Sequence, residues 1–237
     1  MEILIALVAM LAGIVQGVTG FGAGIVMMMV LPNYFALPQS AGISTAICVV
    51  LCMTMVYNYR KHINFKKIIT PSILYLIVCS FSIYFSTMVN QAVMKKVFGV
   101  FLVMLAIYYL FINKDGDRKK ISIAVSLFCI IVSAICDGLF GIGGPLMVLY
   151  FLSTTHNTHE YLGTIQTFFC INCIYNTSFR IYNQILSVEH LIYIVIGMVG
   201  IIVGGMLASK IVDKLNGTML RKLTYIMIGI SGIMNLI

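Results

Sequence analysis

The chain has no tryptophan, four prolines and seven acidic residues among 237. Charged side chains are 9% of it, against about 25% in an average soluble domain. So few charges cannot clothe a soluble fold of this size. That scarcity excludes a soluble enzyme, a nucleic-acid-binding module and a disordered chain. Strict apolar/polar alternation is also missing, and a transmembrane β-barrel needs it. Runs such as Ile25–Leu31, Ile192–Val203 and Ile226–Ile237 are continuous. No Walker loop, Ser–His–Asp arrangement or H-E-x-x-H occurs. A cleavable signal peptide wants basic residues before its apolar core. Only Met1 and Glu2 precede Ile3, so the first segment is expected to be retained.

What is present is hydrophobic sequence, 61% of the chain, in repeated runs long enough to span a bilayer as helices. The expected class is an all-α polytopic membrane protein, multi-pass in the plasma membrane. The predicted segments are Ile3–Leu31, Ser40–Tyr59, Ile68–Met88, Val97–Asn113, Ile121–Leu152, Thr158–Tyr182, Val188–Ser209 and Thr218–Ile237. The connections are short and leave no room for a soluble domain. The net charge of +8 sits in clusters at the ends of these runs, such as Arg60–Lys67 and Lys114–Lys120. That is the pattern of cytoplasmic membrane loops and not of a nucleic-acid surface.

The two halves repeat, which divides one domain of 237 residues into units 1–116 and 117–237. Gly17-Val18-Thr19-Gly20-Phe21-Gly22 returns as Gly138-Leu139-Phe140-Gly141-Ile142-Gly143, and Ala41-Gly42 as Leu162-Gly163. Asn90 with Lys95-Lys96 returns as Asn216 with Arg221-Lys222, so the offset stays between 121 and 126. Internal repeats are a mark of secondary transporters.

Each glycine motif interrupts a segment of roughly 30 residues, more than one crossing needs. Such a segment is either one long broken span or a hairpin that turns at the glycines. As single crossings, the segments put nine basic residues on one side and six on the other. As hairpins they give twelve against three, a strong positive-inside bias. Hairpins are therefore favoured. Each half then crosses three times, the halves are inverted repeats, and both termini lie outside the cytoplasm.

The G-x-x-G-x-G core in each half, Pro32 and Pro145, the small Ser/Thr-bearing start of the following span and the total length resemble the TauE/SafE family of sulfite and organosulfonate exporters. The resemblance covers essentially the whole chain. It implies a permease for a small, often sulfur-containing anion. The departures are mild: Gly22-Ala23-Gly24 stands where relatives often carry a longer glycine run, and the second motif reads Gly143-Gly144-Pro145.

A turn within hydrocarbon leaves backbone groups exposed, which is tolerated only inside protein or along a wet cavity. Glycine permits such a turn and lets a ligand approach the backbone. A helix starting there points its N–H groups at the midplane. Thr19, Gly20, Phe21, Gly22, Gly24, Gly141, Gly143 and Gly144 are accordingly candidate substrate-binding residues. Gly13 and Gly17 fit close helix packing instead, and Gly13→Ala is expected to be mild. Ser44, Thr45, Gln166, Asn172 and Asn176 follow the motifs and could hydrogen-bond an anion's oxygens or a neighbouring helix. Thr164 and Thr167 share that span.

Asp137 is the one carboxylate well inside a span, directly before Gly138, and its counterpart is Gln16. Either it couples transport to protons or it caps the turn. Arg180 either snorkels to the interface or turns inward to attract anions. Gln16, Asp137 and Arg180 are the candidate coupling and gating residues. The seven cysteines lie in apolar runs and read mainly as packing residues. His62, His156, His159 and His190 are expected in solvated loops, and no metal or cofactor is expected. The function expected is secondary transport of a small anion, with the bilayer, the substrate and coupling protons as partners. The alternatives are a thiol/redox protein using Cys170 and Cys173, or a membrane protein of structural or assembly role.

Overall fold

The computed structural model describes residues 1–107, 122–211 and 233. The Lys114–Lys120 loop, the Thr218–Ile237 segment and the basic residues Lys214, Arg221 and Lys222 lie outside the described residues. Every α-helix or 3-10 turn assigned is helical, with no strand among the described residues: α1 (Glu2–Thr19), α2 (Ala23–Met28), α3 (Leu37–Tyr59), α4 (Lys66–Ser86), α5 (Gln91–Ile107), α6 (Ile123–Phe140), α7 (Gly144–Thr154), α8 (Thr158–Tyr182) and α9 (Leu191–Ile211). Short 3-10 turns follow α2 and α3 and precede α9.

Both long glycine-bearing segments are two helices each. Gly20 (φ 82°) ends α1 and Gly141 (φ 66°) ends α6, each with its N–H on the carbonyl four residues back. A left-handed residue at this position favours glycine. Beyond each break the chain contacts the helix it has left. The Ala23 N–H meets the Gln16 side chain at 3.3 Å, and the Ser133 hydroxyl donates to the Gly143 carbonyl.

Among the described residues, five stretches are long and apolar enough to cross a membrane: Glu2–Thr19, Leu37–His62, Lys66–Ser86, Ile123–Phe140 and Val188–Ala208. α8 has 25 residues but is not among them, because Gln166, Asn172, Asn176 and Arg180 dilute its hydropathy. α5 begins at Gln91, six positions before the expected Val97.

The polarity of the molecule is inverted relative to a soluble protein. Ile69, Ile73, Ile77 and Phe81 stand exposed at helical spacing along α4. Gln16, Asp137, Gln166, Asn176 and Arg180 are buried. Apolar side chains outside and polar ones inside suit a hydrocarbon solvent.

Packing joins the two halves. α1 runs parallel to α9, with Ala6 against Gly200, Met10 against Gly204, Gly13 against Gly205 and Gly17 against Ala208. α6 runs parallel to α4, with Tyr75 against Ser133 and Gly138 against Cys79 and Ile83. α3 and α8 run antiparallel. Arg180 reaches Pro38 at one end, and Tyr59 lies beside His159 at the other. Adding the repeat offset of 121 turns 38 into 159 and 59 into 180. The two end contacts therefore exchange into each other. Helices in lipid gain by close backbone approach at small residues, and the α1–α9 seam is built this way.

Gly13 is a packing residue, but its substitution is not mild. A methyl there would strike the Ile201 carbonyl and stand 3.0 Å from the Gly205 nitrogen. Both are backbone atoms, which cannot swing aside. Gly13→Ala should destabilise by about 1–3 kcal/mol, read as a lower thermal midpoint in detergent. An unchanged midpoint would mean that α1 and α9 do not pack this closely.

Candidate functional site

The two turns meet. The carbonyl of Gly141 lies 2.7 Å from where a Gly24 side chain would begin, and Phe21 flanks Gly144. Between them is a cavity of about 60 Å³, room for a handful of water-sized groups. It is lined by Gly22 and Gly24 from the first turn and by Gly141, Gly143 and Gly144 from the second. Gln16 and Asp137 line it from α1 and α6, and Ser44 and Thr45 from α3. Nine of the sequence-predicted residues are thus brought to one place.

The others stand behind it. The Thr19 hydroxyl donates to the Phe21 carbonyl at 2.6 Å and braces the first turn. Gln166 donates to the Gly20 carbonyl at 2.6 Å and accepts from Gln16 at 3.2 Å. Gln16 accepts from the Ala23 N–H, so two amides hold the first turn closed. Asn176 donates to the Asp137 carboxylate at 2.7 Å, and the Cys79 thiol lies 3.4 Å from the Asn176 oxygen. Asn172 donates to the Phe168 carbonyl of its own helix, and its oxygen has no partner.

Arg180 does not snorkel; it is fully buried. Its guanidinium donates to the carbonyls of Pro38 at 3.1 Å, Asp137 at 3.2 Å and Gly138 at 2.8 Å. The end of α6 leaves carbonyls without helical partners; a planar fork of donors on α8 satisfies that of Gly138 and adds a second bond to that of Asp137, which already accepts from the Gly141 N–H. The same fork holds the start of α3. Arg180 makes no ion pair with the Asp137 carboxylate within 4 Å. Asp137 does not cap its turn; the carboxylate faces Asn176 and the cavity.

Sequence reasoning missed Cys48, Cys52, Tyr75 and Phe169, all of which line the cavity, and named Cys173, which also lines it, only for the thiol alternative. Cys48 and Cys52 signal it only through their spacing of four on the face that also carries Ser44 and Thr45. Tyr75 sits on a helix without a motif. Of Cys170 and Cys173, only Cys173 reaches the cavity. The buried Ser44 hydroxyl lies beside the Cys48 thiol on the cavity wall.

At one rim, the 60–66 connection is tied to α8. Glu160 accepts from Lys67 at 2.7 Å and from Asn64 at 3.0 Å, and Thr164 accepts from the Asn64 N–H. His62 and His159 lie with ring centroids 5.2 Å apart. His190 is buried rather than solvated, its Nδ1 held by Ser187.

Replacing Arg180 separates its charge from its shape. Arg180→Met and Arg180→Lys should both lower the thermal midpoint, since hydrogen bonds to a charged group contribute about 1.5–3 kcal/mol each. A lysine variant as stable as the parent would show that charge alone suffices.

Comparison with known proteins fits this architecture. Over 163 residues the chain is 29% identical to a probable membrane transporter protein of Methanocaldococcus jannaschii, covering 63% of this chain and 61% of that relative. The chain thus spans about three-fifths of the length of the curated relative it matches. No solved structure matches. Residues 5–235 match the profile described as sulfite exporter TauE/SafE. With nearly the whole chain matched, the protein belongs to the TauE/SafE family of membrane transporters.

Proposed function

We propose that the protein is a secondary transporter of a small anion, of the sulfite or sulfonate kind, and that the anion binds in the cavity between the two glycine turns. The observation that carries this reading is the meeting of both turns around one cavity inside an apolar shell. The N-terminus of α7 opens at Gly144 onto that space, and helix N-termini attract anions. The Ser44 hydroxyl on the cavity wall supplies a further donor. Without an ATPase motif, the driving force is an ion gradient or the anion's own.

The units 1–116 and 117–237 are read as inverted repeats. The antiparallel α3–α8 pair and the exchange of its end contacts support this. With each glycine segment re-entrant, both termini lie outside the cytoplasm, as the charge distribution requires. Such symmetry places one shared site at the midplane.

Asp137 gives the coupling. An ionised carboxylate and an anion in one small cavity repel each other, so anion binding favours the protonated acid. The anion and a proton then travel together. In proteoliposomes, anion flux should fall as pH rises and should follow an imposed proton gradient. Asp137→Asn carries no titratable proton, so it should keep binding but lose both dependences. Flux through Asp137→Asn that still follows the gradient would remove the carboxylate from coupling.

Gly144→Ala tests the cavity itself. The new methyl would meet Phe21 at 3.6 Å and Phe169 at 3.8 Å, ordinary contact distances, so the fold accepts it while the cavity shrinks. Gly143 does not offer this test, because a side chain there would strike Tyr75 whether or not a substrate binds. Flux of sulfite, sulfoacetate, taurine and sulfate should identify the substrate. The Gly144→Ala variant should lose most of that flux at an unchanged thermal midpoint. Full flux in the variant would place the substrate elsewhere.

A further inference from the structure

Beyond the glycines and Asp137, the cavity has a second chemical character: it is lined by thiols. Cys48 and Cys52 reach it from α3 and Cys173 reaches it from α8. All the cysteines are free. Two of the three are related by the repeat, since position 52 plus the offset of 121 is position 173. Cys52 and Cys173 are neighbours on the wall of that cavity, on helices of different halves. The Gln16 amide donates to the Cys52 sulfur at 3.5 Å and holds it beside the cavity.

We propose that Cys52 and Cys173 are a redox-active thiol pair, and that a disulfide between them ties the two halves of the molecule together across the cavity. Two thiols that share one small cavity from helices packed against each other are placed for a bridge. The oxidant class is a peroxide small enough to enter the cavity. One cysteine gives up its thiol proton and its sulfur attacks a peroxide oxygen, breaking the O–O bond; the sulfur keeps one hydroxyl as a sulfenic acid, and the leaving hydroxide takes up the proton to give water. The second sulfur attacks the sulfenic sulfur and releases a second water, its thiol proton going to the departing hydroxide. Two thiols lose two electrons and two protons in all, and the peroxide is reduced to water.

The bond is placed to act on transport. α3 and α8 each carry residues of the cavity and belong to different halves. Alternating access moves one repeat against the other around a fixed site. A covalent bridge between the two helices removes that freedom. This consequence rests on the transport reading above; the bridge itself does not.

The experiment inserts a site-specific protease sequence between Asp115 and Gly116, so that cutting separates the halves on a denaturing gel. The purified protein is treated with hydrogen peroxide, cut, and run with and without reductant. The halves should stay joined without reductant and separate with it, and the intact protein should be lighter by two hydrogens. Cys52→Ser and Cys173→Ser should each separate under both conditions, while Cys170→Ser should behave like the parent. Should a serine variant fail to fold, Cys52→Ala and Cys173→Ala serve in its place. Halves that separate after peroxide in the parent protein overturn the proposal, as does a bridge that survives loss of either cysteine.

Flux measured in parallel keeps the two readings apart. Peroxide should abolish anion flux in the parent and reductant should restore it. A bridge that forms in a protein with no anion flux leaves the thiol pair standing and defeats the transport reading. Flux without any bridge does the reverse.

Discussion

A peptide group that leaves a helix inside hydrocarbon has no water to turn to, and the whole arrangement follows from how two such groups of peptides are satisfied. Both breaks, at Gly20–Gly22 and at Gly141–Gly143, free carbonyls and N–H groups in the interior. The first break is answered by two amides, Gln16 and Gln166. The second is answered by the guanidinium of Arg180 and the hydroxyl of Ser133. α8 is the most polar of the long helices because it carries the answer to both.

The same demand explains the position of the cavity. The first turn is braced from the opposite half by Gln166. The second is braced within its own half by Arg180 and Ser133, with Tyr75 of the first half packed against Gly143. The small-residue seam between α1 and α9 and the parallel contact between α4 and α6 then fix the distance between the two tips. What remains between the tips is a small space with glycine backbone, a carboxylate, a hydroxyl and thiols on its walls.

Much of this was legible in the residues. The poverty in charge and the length of the apolar runs dictate a membrane-embedded helical chain, because nothing else can be solvated. The duplicated motif located both helix breaks to within a few residues, since a left-handed cap at Gly20 and Gly141 needs glycine wherever the fold puts it. Gln16 and Asp137 were recognisable because polar groups in a span require partners. Their repeat offset already tied them to each other.

Tertiary structure decided the rest. Nothing local in the sequence distinguishes an arginine that snorkels from one that is buried, and Arg180 is buried because carbonyls from two other helices converge on it. Cysteine has the same packing habits in a seam as at a cavity wall. Cys52 and Cys173 reach one cavity wall only because α3 and α8 pack together around it. Gly13 shows the same division in a single residue. The sequence by itself determined that it packs. Only the approach of the Ile201 carbonyl determined that no side chain fits there, because contact between backbones 188 positions apart is a property of the fold and not of the chain.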